Sequence, residues 1–143
     1  MKVERLLKLK GNEIFSIEPE ATVFEAIQEM DKKNVGALLV VQKEKVAGII
    51  SERDYMRKVI LKNRSSKDTT VAEVMTRDVC YVTLNELVNE CMALMTEKRF
   101  RHLPVIEDGK VLGIISLGDV VKTIIDEQDH EIQNYERYVR GWN

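Results

Sequence analysis

Apolar positions between Val23 and Met30 return at steps of three and four. Val23, Ala26, Ile27 and Met30 fall on one stripe, and Glu25, Gln28 and Glu29 fall off it. That period predicts a helix. Thr22 stands just before the stripe and Glu25 three residues later, the spacing of a capping box at the helix start. Upstream, Ile14, Phe15 and Ile17 predict a short extended lead, which ends at Glu18-Pro19 because proline disfavours helix in the residue before it. Downstream, the apolar runs Ala37 to Val41 and Val46 to Ile50 flank the polar turn QKEK, as in a hairpin. A closing helix over Glu52 to Leu61 carries Tyr55, Met56, Val59 and Ile60. The order is strand, helix, strand, strand, helix.

The same order occurs twice. Residues Ile14 to Ile60 align without gaps on Val79 to Ile125, and the match is densest at Lys45/Lys110, Val46/Val111, Gly48/Gly113, Ile49/Ile114, Ile50/Ile115, Ser51/Ser116 and Asp54/Asp119. In the second copy Val88, Cys91, Met92 and Met95 form the helical stripe, and Asp108-Gly109 marks the turn. The lead-ins correspond as well: Val3-Glu4-Arg5-Leu6-Leu7 resembles Val71-Ala72-Glu73-Val74-Met75. The organisation expected is a first repeat over 1–61 with its lead-in, a polar linker over 62–70 (KNRSSKDTT), a second repeat over 71–128 and a C-terminal amphipathic helix over 129–143. In that last segment Ile132, Tyr135, Val139 and Trp142 form a stripe, which suits either packing on its own domain or a dimer contact. The fold class is α/β. Two pseudo-symmetric repeats of marginal size are expected to pack into one globular module, with two related clefts near the pseudo-twofold axis.

Composition narrows the function. The chain has 143 residues, 44% hydrophobic and 32% charged, which excludes disorder and a fibrous repeat. With 22 basic against 24 acidic residues, the net charge of −2 gives no general attraction to nucleic acid or to a membrane surface. Charges run through the N-terminal MKVERLLKLKG, where a signal peptide needs an unbroken apolar stretch, so a cytoplasmic protein is expected. Cys80 and Cys91 have no cysteine or paired histidine nearby, which predicts reduced thiols and no metal site. No phosphate-binding loop, dinucleotide fingerprint or nucleophile–histidine motif is present, which argues against an enzyme.

The sharpest chemistry lies in GIISERD (Gly48 to Asp54) and GIISLGD (Gly113 to Asp119), each where a strand gives way to a helix. First-turn N–H groups at a helix start can receive an anion, and a carboxylate three residues after the serine can accept both hydroxyls of a vicinal diol such as ribose. The same Ser-x-x-Asp spacing also serves as a plain capping box. Both readings stand open on these residues. The strand beginnings Gly36-Ala37 and Phe100-Arg101-His102 differ between the copies, and Arg101 and His102 are suited to a phosphate or to an ordinary polar lead into a strand. Arg53, with Arg57 and Lys58, places positive charge near a helix start, where the macrodipole prefers an anion.

The doubled block of apolar strand, polar turn and G-I-I-S-x-x-D resembles a tandem cystathionine-beta-synthase (CBS) domain pair, the Bateman module, over roughly Val3 to Gln128. GIISERDYMRKV resembles the form found in small stand-alone prokaryotic members. The resemblance implies a regulatory module that binds an adenine nucleotide (AMP, ADP or ATP) in clefts between the two repeats, with S-adenosylmethionine or NADH as alternative ligands. It also implies a homodimer; the mechanism expected is a population shift in which a protein partner reads the orientation that the ligand favours. A ligand-free interaction scaffold is the competing reading. By the resemblance, Asp54 and Asp119 match the ribose carboxylate, Ser51 and Ser116 the motif hydroxyl, and Arg53 a phosphate-side position that Gly118 leaves empty in the second copy. Gly36, Ala37, Arg101 and His102 would wall the clefts. Val79 and Cys80, or Ile14 and Phe15, would supply the lead strands that sandwich and read adenine.

Overall fold

The computed structural model describes residues 1–11 and 13–140, the last three by backbone alone. It divides into two compact units: Glu13–Cys80, and Met1–Asn12 together with Tyr81–Asn143.

In the first-repeat unit, β1 (Ser16–Ile17) runs parallel to β2 (Ala37–Gln42), which pairs antiparallel with β3 (Lys45–Ser51). Helix α2 (Val23–Lys33) lies between β1 and β2 in sequence. Thr22 caps it by accepting the Glu25 N–H at 3.1 Å, and Asn34 ends it in the left-handed region (φ 55°), which asparagine tolerates. Val23, Ala26 and Met30 on α2 pack with Leu38, Val40 and Ile50 of the sheet, so the predicted stripe is the buried one. The β2–β3 turn places both Lys43 (φ 50°) and Glu44 (φ 66°) in the left-handed region. Such a turn matches the natural strand twist and normally asks for Asn or Gly. The other repeat makes the same turn with Asp108 and Gly109 (φ 52° and 76°), where the strain is smaller. Helix α3 (Glu52–Tyr55) continues into a π-helical turn over Met56–Ile60, whose Val59 joins the core.

The polar stretch 62–70 is folded onto this unit. Thr69 is 2% exposed, its carbonyl takes the Val23 N–H at 2.8 Å, and the Ser66 carbonyl takes the Phe24 N–H at 2.9 Å. Two of the four N–H groups that every helix start leaves without an intrahelical partner are met this way. Helix α4 (Val71–Val74) follows, capped by Glu73, whose carboxylate receives the Thr70 N–H at 2.7 Å. Val71, Val74 and Met75 then enter the same core as α2.

The second-repeat unit has the matching plan. Helix α5 (Val88–Lys98) buries Val88, Cys91 and Met95, and β4 (His102–Glu107) pairs antiparallel with β5 (Lys110–Ser116). Its lead strand is reduced to one parallel bridge, Val82 with Val105. Helix α1 (Val3–Lys10) occupies the place that α4 holds in the other unit. The Met1 carbonyl takes the Val88 N–H at 2.8 Å, the Val3 N–H goes to Glu86 and the Glu4 N–H to Leu84. These are the counterparts, one repeat later, of the bonds Val23 to Thr69, Val71 to Ala21 and Ala72 to Pro19. Each repeat is thus completed by the lead-in that precedes the other.

Helix α6 runs unbroken over Leu117–Arg140, where two successive helices were expected. Of the tail stripe, Ile132 and Tyr135 are exposed, Trp142 lies outside the described residues, and Val139 is described by backbone alone.

Candidate ligand-binding site at the strand-to-helix junctions

In each repeat the last residue of the second hairpin strand is the serine that caps the following helix, opposite the first residue of the partner strand: Ser51 faces Ala37, and Ser116 faces His102. The strand beginnings and the motif therefore meet at one end of each hairpin. The Gly36 carbonyl accepts the Glu52 N–H at 3.0 Å, and the Arg101 carbonyl accepts the Leu117 N–H at 2.8 Å. Asp54 N–H donates to Ser51 Oγ (3.3 Å) and Asp119 N–H to Ser116 Oγ (3.1 Å). The expectation of an open set of first-turn donors is corrected accordingly: the first and third N–H groups of both helices are committed within the chain. Both serines are true caps, because Asp54 and Asp119 return the bond to the serine N–H at 2.9 and 2.8 Å.

The two carboxylates have different surroundings. Asp54 Oδ2 takes the Ser51 N–H and hydroxyl, while Oδ1 takes the Thr76 hydroxyl at 3.3 Å and the Lys58 ammonium at 3.0 Å. Its side chain is 11% exposed, so an incoming ligand must displace one of these donors. Lys58 also donates to the Val74 carbonyl at 2.9 Å. Asp119 is more open, with a side chain 27% exposed, and its Oδ2 takes the Lys10 ammonium at 2.6 Å. Burial pushes the Asp119 carboxyl up, but Lys10 and the Ser116 N–H outweigh it and hold the group below its ordinary value. The His102 imidazole is held below its ordinary value by burial first, then by the positive charge of Lys10; Asp119 opposes this and Arg101 adds to it. Sequence reasoning missed Lys10, Thr76 and the pairing role of Lys58. Only Lys58 carried a signal, its i, i+4 spacing from Asp54.

The remaining sequence candidates are spread more widely. Arg53 is half-buried at the second position of α3, and Gly118 is exposed at the corresponding place in α6. Phe15 packs against the first-repeat core, with the Lys33 ammonium 5.3 Å from its ring, and its carbonyl takes the Leu39 N–H; Ile14 is exposed. Val79 and Cys80 are half-buried and outside any strand, with the Val79 N–H turned back to the Arg77 carbonyl. In the first copy the pairing thus begins at the Phe15 carbonyl, one residue past Ile14, and in the second only at Val82, past both Val79 and Cys80. Gly36 lines an open hollow of about 390 Å³ with Ile27, Met30, Asp31, Val35 and Tyr55, and Ser51 and Asp54 do not line it. Burial pushes the Cys91 thiol up to about 11, helped by Glu86 and Glu90, which makes it a core group and not a reactive one. Among the described residues no three His, Cys, Asp or Glu side chains gather as a metal site would need, and no helix is long and apolar enough to cross a membrane.

The family profile of the CBS domain matches residues 10–61 and again 71–126. The chain belongs to the CBS-domain family. It is 44% identical over 125 residues to the CBS domain-containing protein CBSX3, mitochondrial, of Arabidopsis thaliana, covering 84% of this chain and 61% of that one. It thus spans less than two-thirds of that relative. Among solved structures it resembles the CBS domain NE2398 (51% identity, TM-score 0.84, covering 87% of this chain and 98% of that one). The CBS domain pair of MJ0100, solved in complex with 5′-methylthioadenosine and S-adenosyl-L-methionine, shares the fold at 24% identity (TM-score 0.79, 89% and 98% covered). The chain is a CBS pair with its two repeats intact, the architecture of a regulatory ligand-binding module.

Proposed function

We propose that the strand-to-helix junctions of this CBS pair bind an adenine nucleotide reversibly and without turnover, and that the bound state is read by a protein partner as a shift in conformational population. The observation that carries the reading is the second junction. There a part-exposed carboxylate at a serine-capped helix start stands with Lys10 and Arg101 and with the His102 imidazole, which burial keeps toward its neutral form, so an acceptor for a diol lies beside two cations and a ring donor for a phosphate. The first junction has the same carboxylate but a fuller set of internal partners, which predicts weaker binding there.

Isothermal titration with AMP, ADP, ATP, NADH and S-adenosylmethionine tests the reading, run on the native protein and on Asp119→Ala and Asp54→Ala. Saturable heat with an adenine nucleotide, lost chiefly in Asp119→Ala, is the expected result. Unaltered binding in both variants overturns the ribose assignment. Absence of heat and of any melting-temperature shift with all five ligands overturns nucleotide binding in favour of a ligand-free scaffold.

A further inference from the structure

The two repeats close the motif strand differently. In the first, Thr76 follows the lead-in helix α4 and pairs with Ile49 through main chain on both sides: Ile49 N–H to Thr76 at 3.0 Å, and Thr76 N–H to Ile49 at 2.9 Å. The corresponding strand residue of the second repeat is Ile114, and its carbonyl is met by the Lys10 ammonium, which also holds Asp119 Oδ2. A main-chain pair gives way only if the segment unfolds. A lysine ammonium on four rotatable bonds can leave with its helix intact. Lys10 is the last residue of α1, its side chain is 32% exposed, and Gly11 behind it leaves the helix at φ 96°.

We propose that Lys10 is a displaceable internal occupant of the second junction, and that its displacement makes this site selective for adenosine phosphates over uncharged or cationic adenosyl compounds. The inference rests on the nucleotide reading above and names the residue that sets its selectivity. When a diol takes both oxygens of Asp119, the Lys10 ammonium loses its carboxylate in a neighbourhood that already holds the Arg101 cation. A ligand phosphate re-pairs that cation with a charge-assisted bond. Adenosine leaves it the Ile114 carbonyl and no counter-charge, so a part-buried cation loses its only ion pair among the described residues. The sulfonium of S-adenosylmethionine adds a further positive charge.

The test is titration of native protein, Lys10→Met and Lys10→Arg with AMP, adenosine and S-adenosylmethionine, counting as second-junction heat the part lost in Asp119→Ala. The native protein is expected to prefer AMP to adenosine by about tenfold or more, the usual worth of one charge-assisted contact. In Lys10→Met the preference falls to within about threefold, because adenosine gains as AMP loses, and Lys10→Arg restores it. A mutation-free readout accompanies it: acetylation of Lys10, followed by mass spectrometry, is expected to speed up with saturating adenosine and to slow again with AMP. An AMP preference unchanged in a folded Lys10→Met, or acetylation indifferent to both ligands, overturns the role of Lys10 and leaves nucleotide binding standing. Failure of the native protein to bind any of the three overturns both.

Discussion

The Thr76 hydroxyl donates to Asp54 Oδ1 at 3.3 Å, tying the end of one lead-in to the start of α3 across 22 residues of sequence. With Lys58 and the two bonds from Ser51, it fills a carboxylate that is nearly buried. Removing the acceptor strands donors, which is the expensive side of a hydrogen bond. Asp54→Ala is therefore expected to cost about 1–3 kcal/mol, enough to lower the melting temperature by roughly 3–10 °C in a chain of this size. Asp119→Ala should cost less, because its site is more open to water. Thermal melts of the two variants check the difference, and equal losses would contradict it.

Gly48 and Gly118 make a contrasting pair. A Cβ on Gly48 would stand 2.6 Å from the Thr76 carbonyl, a main-chain atom already committed to Ile49, whereas a Cβ on Gly118 meets only Ser116 Oγ at 3.7 Å. Gly48→Ala is expected to destabilise by about 1–3 kcal/mol through overpacking. Gly118→Ala, in a helix and without positive φ, should stabilise by about 0.5–1 kcal/mol. Urea unfolding of both proteins tests the opposite signs.

The His102 imidazole gives stability a pH dependence near neutrality. Burial, Lys10 and Arg101 hold its folded value below the unfolded one, with Asp119 opposing, so the unfolded chain binds the proton more readily. Its contribution is full above about pH 6.5 and is lost as the pH falls toward the lower folded value. Asp119 is also depressed, but its contribution is lost only below about pH 4, so the two windows separate. The melting temperature should fall from pH 7.5 to 5.5 and fall less in His102→Gln. An identical slope in the variant would assign the dependence elsewhere.

Much of this fold could be read from one sequence because the repeat shows every element twice. The α2 stripe, both hairpins and both Ser-x-x-Asp caps follow from local spacing, and local spacing is what propensity and capping respond to. The ends were less legible. The repeat stops near Gln128 and so suggests a break between the closing helix and the tail, yet nothing in DEQDHEIQ breaks a helix and α6 continues through it. The second lead strand does not begin at Val79, whose N–H turns back on the Arg77 carbonyl two residues earlier, a local turn that its β-branched side chain does not announce. The cations at the two junctions divide in the same way. Lys58 reaches Asp54 along one helix surface, while Lys10 reaches Asp119 only through a lead-in that lies far off in sequence.

That distant lead-in bears on the order of folding during synthesis. The unit Glu13–Cys80 is continuous and can close as soon as its last residue has left the ribosome. Helix α1 precedes it on the chain but completes the other unit, and 104 residues separate Lys10 from Ile114. At ordinary synthesis rates that interval is roughly 5–20 s, during which the apolar face of α1 has been made and its destination has not. A segment translated before the first-repeat unit thus finds its place only after that unit has been made, and slowing or pausing translation between the repeats would lengthen its exposure without changing a single contact of the finished protein.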